Sequence, residues 1–213
     1  MKIGVLGTGD VGRVLGAGFV ALGHEVKIGS RNPQKDVVKE WLKKVGAKGS
    51  AGTFAEAAAF GDIAVLAISW TGIENAVRLA GPEKFAGKAV IDVTNPLDFS
   101  TGAPRLAVGY TDSAGESVQR WLPGAMVVKA FNHVGNAHMV NPQFPEGPPT
   151  MFICGNDAGA KKMVTGLLEA FGWPVVDIGG IEGSRYLEPL AMLWITYGFR
   201  TNTWSHTFKL LRK

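Results

Sequence analysis

The sequence predicts an α/β fold: a doubly wound parallel sheet of Rossmann type, followed by a small C-terminal α/β-plus-helix domain. Three observations predict it. Residues 3–6, 25–28, 63–68, 88–93 and 125–131 are short apolar runs, the signature of strands buried on both faces of a parallel sheet. Helical stretches alternate with them in βαβ order. The first unit carries Gly7-Thr8-Gly9-Asp10-Val11-Gly12 between its strand and its helix, the setting that gives a G-x-G-x-x-G motif physical meaning.

In that motif Gly7 permits the tight turn, Gly9 lets backbone approach a pyrophosphate, and Gly12 lets the helix pack close to the strand. The N–H groups opening the helix lack intrahelical partners, so they offer donors to phosphate oxygens. The helix runs to residue 22, and residues 25–28 form the second strand. Its end decides the cofactor. An NAD site places a carboxylate there for the ribose 2′-OH, whereas this chain has Ser30, Arg31 and Asn32, with Lys35 a turn further on. A guanidinium grips a 2′-phosphate with charge-assisted bonds, and the nearest acid, Asp36, belongs to the next helix and points to solvent. The cofactor predicted is therefore NADP(H).

The remaining elements follow in order. Asn32 and Pro33 read as N-cap and N1 of an amphipathic helix to residue 45. Residues 47–50 form a short third strand. Residues 53–60 form an alanine-rich helix with the Thr53/Glu56 capping-box spacing. The strand at 63–68 exits into Ile68, Ser69 and Trp70, and a helix covers 73–80. The strand at 88–93 exits into Val93, Thr94, Asn95 and Pro96. Residues 97–113 lack periodicity and read as a long functional loop. A helix at 116–122 precedes the strand at 125–131, whose exit carries Ala130, Phe131, Asn132 and His133. Residues 141–149 hold four prolines and read as a linker. This places a boundary at 140/141, between a cofactor domain (1–140) and a small domain (141–213). The latter comprises a strand at 151–154, a helix at 158–171, a strand at 174–178 and a helical tract from 183 to 211. Trp194, Tyr197, Phe199, Trp204 and Phe208 crowd that tract, which reads as packing, a subunit interface or the wall of an aromatic-ligand pocket.

Composition narrows the class. The chain has 213 residues, 46% hydrophobic and 19% charged, enough for a substantial core and too apolar for disorder. A net charge of +4 without a basic stripe argues against nucleic-acid binding. No run of 18 apolar residues predicts a membrane span, and no targeting segment is visible, which makes a cytoplasmic location the expectation. One cysteine, Cys154, sits in an apolar run and excludes an internal disulfide. His24, His133, His138 and His206, with few carboxylates near them, predict no metal site.

In open α/β sheets ligands bind beyond the carboxyl ends of the strands. The residues gathered there are small, amide and hydroxyl side chains plus His133, the one candidate proton donor. The Gly7–Gly12 motif, residues 28–33 (Ile-Gly-Ser-Arg-Asn-Pro), 92–96 (Asp-Val-Thr-Asn-Pro), 128–132 (Val-Lys-Ala-Phe-Asn) and the tail 177–190 together resemble the NADPH-dependent coenzyme F420 reductases. They are also similar to the cytosolic oxidoreductase domain of the six-transmembrane epithelial antigen metalloreductases. The resemblance covers nearly the whole chain. It implies an NADP-binding domain and a small domain that clasp a deazaflavin (coenzyme F420) or a flavin (FMN or FAD) near the nicotinamide. It implies that Thr8, Gly9, Asp10 and Val11 hold the pyrophosphate, and Ser30, Arg31 and Lys35 the 2′-phosphate. Ile68, Ser69 and the exits at 93–95 and 130–131 would line the ribose and nicotinamide. With the apolar tail, it also implies a homodimer.

Hydride transfer between two rings asks little acid–base help of the protein, which agrees with the lack of paired carboxylates or a Ser/His/Asp set. Two other readings stay open. One is an NADP-dependent dehydrogenase or imine reductase, which would need a Lys or His acid near the nicotinamide; Lys129, inside a strand, is poorly placed for it. The other is a non-catalytic NADPH-binding protein.

Overall fold

A computed structural model describes residues Met1–Lys213. Strands β1 (Lys2–Leu6), β2 (Glu25–Gly29), β3 (Gly49–Gly52), β4 (Ile63–Leu66), β5 (Ala89–Asp92) and β8 (Met126–Lys129) form a parallel sheet. A small antiparallel ribbon, β6 (Leu97–Asp98) and β7 (Arg105–Leu106), lies outside it. Strands β9 (Met151–Gly155) and β10 (Val175–Asp177) extend the same sheet, giving eight strands in the order β10-β9-β8-β5-β4-β1-β2-β3. The β8/β9 pair is antiparallel, so the sheet is mixed rather than wholly parallel. The strands on either side of residue 140 therefore belong to one sheet.

Helices α1 (Asp10–Ala21), α2 (Asp36–Val45), α3 (Phe54–Phe60), α4 (Trp70–Ala80), α5 (Ala114–Trp121), α6 (Ala158–Ala170) and α7 (Ser184–Thr201) complete the chain. The period-two pattern of the strands divides the core into two layers. Ile3, Val5, Ile63, Val65, Ile91 and Val128 pack on one face with Leu15 and Phe19 of α1 and Val164 and Leu168 of α6. Leu6, Leu66, Val90 and Val127 pack on the other with Ala57, Ile73, Val77 and Val118. On that second face Gly4 has no room for a side chain, since a Cβ would lie 2.1 Å from the Ala57 carbonyl oxygen.

Local chemistry explains several boundaries. Thr53 and Glu56 form the expected capping box on α3. Asn32 and Pro33 do not start α2, which begins at Asp36. The Asn32 side chain instead accepts from the Gln34 N–H (3.0 Å), and this turn competes with helix. The long loop is partly ordered: Asp98 and Arg105 pair across the β6/β7 ribbon at 2.7 Å. The tail is not helical to residue 211. Asn202 adopts a left-handed conformation (φ 52°) and ends α7, and residues 202–213 run back as an irregular strap. Gly198 permits that reversal, because a Cβ there would meet the Trp204 ring at 2.5 Å.

At the centre, Lys129 of β8 is fully buried between Asp92 of β5 and Glu188 of α7, each 2.9 Å away. Burial by itself would lower the Lys129 pKa, but the two facing carboxylates outweigh it and raise the value, so the ammonium stays charged. Replacing Lys129 by Met leaves two buried carboxylates facing each other. We expect a loss of about 3–5 kcal/mol in equilibrium urea unfolding; a change below about 1 kcal/mol would show that the ion pairs are not needed for stability.

Candidate active site

The carboxyl ends of β1, β2, β4, β5 and β8 open onto two cavities that share Gly9, Ala67, Ile68, Ser69 and Thr71, and so form one groove. The narrower part, about 460 Å³, is lined by Gly7, Thr8, Gly29, Ser30, Arg31 and Lys35, with Asn75 from α4. Gly7 makes its turn at φ 123°, where a Cβ would lie 2.1 Å from the Ala67 carbonyl oxygen. At Gly12 a Cβ would lie 2.3 Å from the Gly7 carbonyl oxygen. Gly9 is different: nothing lies within 4 Å of where its Cβ would point, leaving open space above an α1 N-terminus that no side chain caps. Gly7 and Gly12 thus serve the tight turn and the close packing read from the motif, and Gly9 leaves the helix N-terminus open.

Arg31 and Lys35 are exposed at the other end of this part, and neither is paired with a carboxylate. The Ser30 Oγ accepts from the Asn32 N–H (3.2 Å), which sets the turn that carries Arg31. Asn32 itself shapes this turn and does not line the groove. Asp36 is exposed and faces Lys39.

The wider part is a chamber of about 570 Å³. Asp10, Val11, Trp70, Val93, Thr94, Asn95, Phe131 and Asn132 line it, as the strand exits predicted. Two asparagines tie the exits together. The Asn95 Nδ2 donates to the Asn132 carbonyl oxygen (2.6 Å), and the Asn132 Nδ2 donates to the Asn95 Oδ1 (3.1 Å) and the Leu187 carbonyl oxygen (2.8 Å). Phe131 sits at φ 62°, a conformation that costs a bulky residue about 1–3 kcal/mol and turns the chain sharply at the chamber wall. The Asn132 Oδ1 and the Thr94 Oγ1 are buried without a partner.

Asp10 is the one titratable residue on the chamber wall, and it is paired with Arg13. Pro96 and Ala130 are buried and do not line the chamber. His133 is a correction. It is fully buried, its Nε2 accepts from the Phe152 N–H (3.3 Å), and its ring packs near Phe152 and Phe208. The chain turn at Phe131 sends it away from the chamber, so it cannot serve as a proton donor there. Cys154 is buried, and desolvation pushes its thiol up to about 11, leaving it unreactive.

Sequence reasoning missed part of the wall. Leu97 and Phe99 come from the loop that holds the β6/β7 ribbon, where the Asp98/Arg105 pair was the available signal. Val134, Gly135 and Asn136 follow the exit of β8, and Ile195 stands beside Trp194 on α7.

Comparison with known proteins identifies the chain. Residues 2–96 match the family described as NADP oxidoreductase, coenzyme F420-dependent. The F420-dependent NADP reductase of Methanothermobacter marburgensis is 32% identical over 94% of this chain and 93% of its own length. This chain belongs to the F420-dependent NADP reductase family. It is an NADP-dependent oxidoreductase of that family. A solved structure from Arthrobacter sp. FB24, provisionally described as an F420-dependent NADP reductase, is 39% identical with a TM-score of 0.94 over 100% of both chains. Metalloreductase STEAP3 of Rattus norvegicus is 30% identical over 90% of this chain, which spans 37% of that protein's length. No helix is long and apolar enough to cross a membrane. No cluster of three or more His, Cys, Asp or Glu side chains is placed to hold a metal ion.

Burial lowers the His133 pKa from 6.5 to about 4. The group is neutral when folded, so its stability contribution is fully present above pH 6.5 and is lost as the pH falls toward 4. The loss is about 3 kcal/mol. His133→Phe should flatten the acid limb of unfolding free energy against pH between 6.5 and 4. Parallel curves for wild type and variant would refute the assignment.

Proposed function

We propose that this reductase transfers hydride between NADP(H) and the planar ring of a deazaflavin (coenzyme F420) or a flavin such as FMN or FAD, seated in the chamber. The observation that carries this reading is the chamber wall. It is apolar, aromatic and amide in character, contains no Lys, His or Tyr, and adjoins a groove with two unpaired cations at its far end. Such a site recognises an uncharged ring and an anionic phosphate at separate places.

The residues fit an NADP molecule laid along the groove. Gly9, Asp10 and Val11 at the start of α1 would hold the pyrophosphate beside Thr8, and Ser30, Arg31 and Lys35 the 2′-phosphate. Ile68, Ser69 and Trp70 would flank the ribose. Val93, Thr94 and Asn95 at the β5 exit and Phe131 and Asn132 at the β8 exit would flank the nicotinamide. The Asn132 amide is committed to the Asn95 Oδ1 and the Leu187 carbonyl oxygen, so it would fix the β8 exit beside the nicotinamide. When bound, NADPH supplies a hydride equivalent to the acceptor ring. The protein's share is to hold the rings face to face and exclude water with Trp70, Phe99, Trp194 and Ile195. Residues 1–140 would hold NADP, and 141–213 would provide the acceptor-side wall through α7.

A carbonyl or imine reductase asks for a proton donor at the reacting atom. Lys129 has its protons engaged by Asp92, Glu188 and the Thr94 carbonyl, and His133 is buried away from the chamber. That disfavours the dehydrogenase reading.

A charge-assisted hydrogen bond contributes about 1.5–3 kcal/mol. Arg31→Ala should therefore weaken NADPH binding about ten- to a hundred-fold, with NADH binding unchanged; titrations of both cofactors decide it, and equal effects on the two would remove the 2′-phosphate role. For the acceptor, NADPH oxidation should be seen with F420, FMN, FAD or riboflavin. Turnover with a ketone or imine but with none of these four would sink the ring-to-ring reading, and binding without turnover on any acceptor would favour a non-catalytic role.

A further inference from the structure

We propose that residues 202–213 are a strap that supports the acceptor site from behind, with His206 a positioning residue that fixes the Trp194 indole as the chamber wall. The proposal rests on the acceptor reading above. Its physical content is a reciprocal lock between one residue of α7 and one of the strap.

Trp194 lines the chamber and is 8% exposed. Its Nε1–H donates to the His206 carbonyl oxygen at 2.7 Å, and the His206 Nε2–H donates back to the Trp194 carbonyl oxygen at 2.9 Å. The two rings stack with centroids 4.9 Å apart and planes 24° apart. Tyr197, a turn further along α7, meets the imidazole edge-on at 4.7 Å. Trp204 packs on Trp194 at 5.2 Å, over the gap left by Gly198. The indole is thus held at its N–H, on its face and along its edge.

The strap is anchored to the sheet as well as to α7. The Thr150 N–H donates to the Phe208 carbonyl oxygen (2.9 Å), and the Leu210 N–H donates to the Thr150 Oγ1 (3.0 Å). Thr150 directly precedes β9, so the lock on Trp194 is referenced to the sheet that carries the NADP groove. The χ2 torsion of a tryptophan is broad, and only external contacts fix the plane of its ring. An indole fixed before the acceptor arrives spares the ordering cost of binding and sets the spacing of the stacked ring. His206 does not line the chamber, so it acts through Trp194 and not on the acceptor.

His206→Phe keeps the ring stack and removes the N–H donor, whereas His206→Gln keeps a donor of similar reach. We expect His206→Phe to raise the KM for F420, or for FMN where F420 is not turned over, about three- to ten-fold, the worth of one neutral hydrogen bond. NADPH affinity and kcat should stay within two-fold, and His206→Gln should return the KM toward wild type. A merely structural role would move NADPH affinity and acceptor KM together, and that outcome overturns the proposal, as does an unchanged KM in His206→Phe. A second readout needs no acceptor. The near-UV circular dichroism that Trp194 contributes, taken as the difference between each protein and its own Trp194→Phe variant, should be reduced in His206→Phe and kept in His206→Gln. An unchanged signal in His206→Phe refutes the lock. Absence of wild-type turnover with F420 or FMN would count against the proposed acceptor class, and the dichroism would still decide the role of the strap.

Discussion

Lys129 spends all three ammonium hydrogens inside the protein, on the Asp92 carboxylate, the Thr94 carbonyl oxygen (2.8 Å) and the Glu188 carboxylate. Glu188 in turn accepts from the N–H groups of Ala114 and Gly115 at the start of α5 (2.9 and 3.0 Å). The Asp92 Oδ1 accepts from the Thr94 N–H (2.9 Å). Two carboxylates and one ammonium leave one negative charge, which the positive end of α5 offsets. Charges this deeply buried are costly to desolvate, and they persist only where every hydrogen and lone pair is matched. That condition fixes four elements at once: β5, β8, α5 and α7.

The site depends on this arrangement in two ways. Asp92 and Lys129 clamp the backbone N–H and C=O of Thr94, so the β5 exit reaches the chamber in one conformation, with its hydroxyl unpartnered. Glu188 holds α7 against the sheet, which brings Trp194 and Ile195, less than two turns further on, to the opposite wall. The Asn132 bond to the Leu187 carbonyl oxygen repeats the tie from the chamber side. With Lys129 fully engaged and His133 turned inward, the chamber wall presents no Lys, His or Tyr as an acid. This is the electrostatic setting of a hydride transfer between bound rings, and a poor one for protonating a carbonyl.

What could be read in the sequence was what is local. The glycine motif, the Ser30–Arg31 turn and the Thr53/Glu56 box each depend on residues within a few positions of one another, and each is found in the structure. The strand exits were legible because a buried strand is a continuous apolar run, whatever its partners. Side-chain direction was not. His133 stands at a strand exit in sequence, yet the left-handed Phe131 two residues earlier turns it into the core. The Lys129–Asp92–Glu188 cluster joins three distant segments, and no spacing rule links them. Trp204 and Phe208 lay in a tract read as helical to residue 211, but Asn202 ended the helix and these two residues pack the strap against Trp194 and His133. The antiparallel entry of β9 is likewise a matter of how the segment after β8 returns, which the Trp173 Nε1–H bond to the Met139 carbonyl oxygen (2.9 Å) and the Asn141 N–H bond to the Phe171 carbonyl oxygen help to hold.

The division of labour along the groove follows from where each part of the chain lies. The Arg31 end is built from β1, β2 and their following turns, early in the chain and exposed, where Arg31 and Lys35 stay hydrated and can be changed without disturbing the core. The ring end is built from strand exits and from α7, whose placement depends on buried charge. On the proposed reading a substitution at Arg31 would alter which dinucleotide binds, and one at Trp194 would alter the acceptor-side wall. One at Lys129 would loosen both Thr94 and α7, because the same ammonium ties them. Dinucleotide preference and the acceptor-side wall would then be separable, whereas the relation between the β5 exit and α7 is tied to the core.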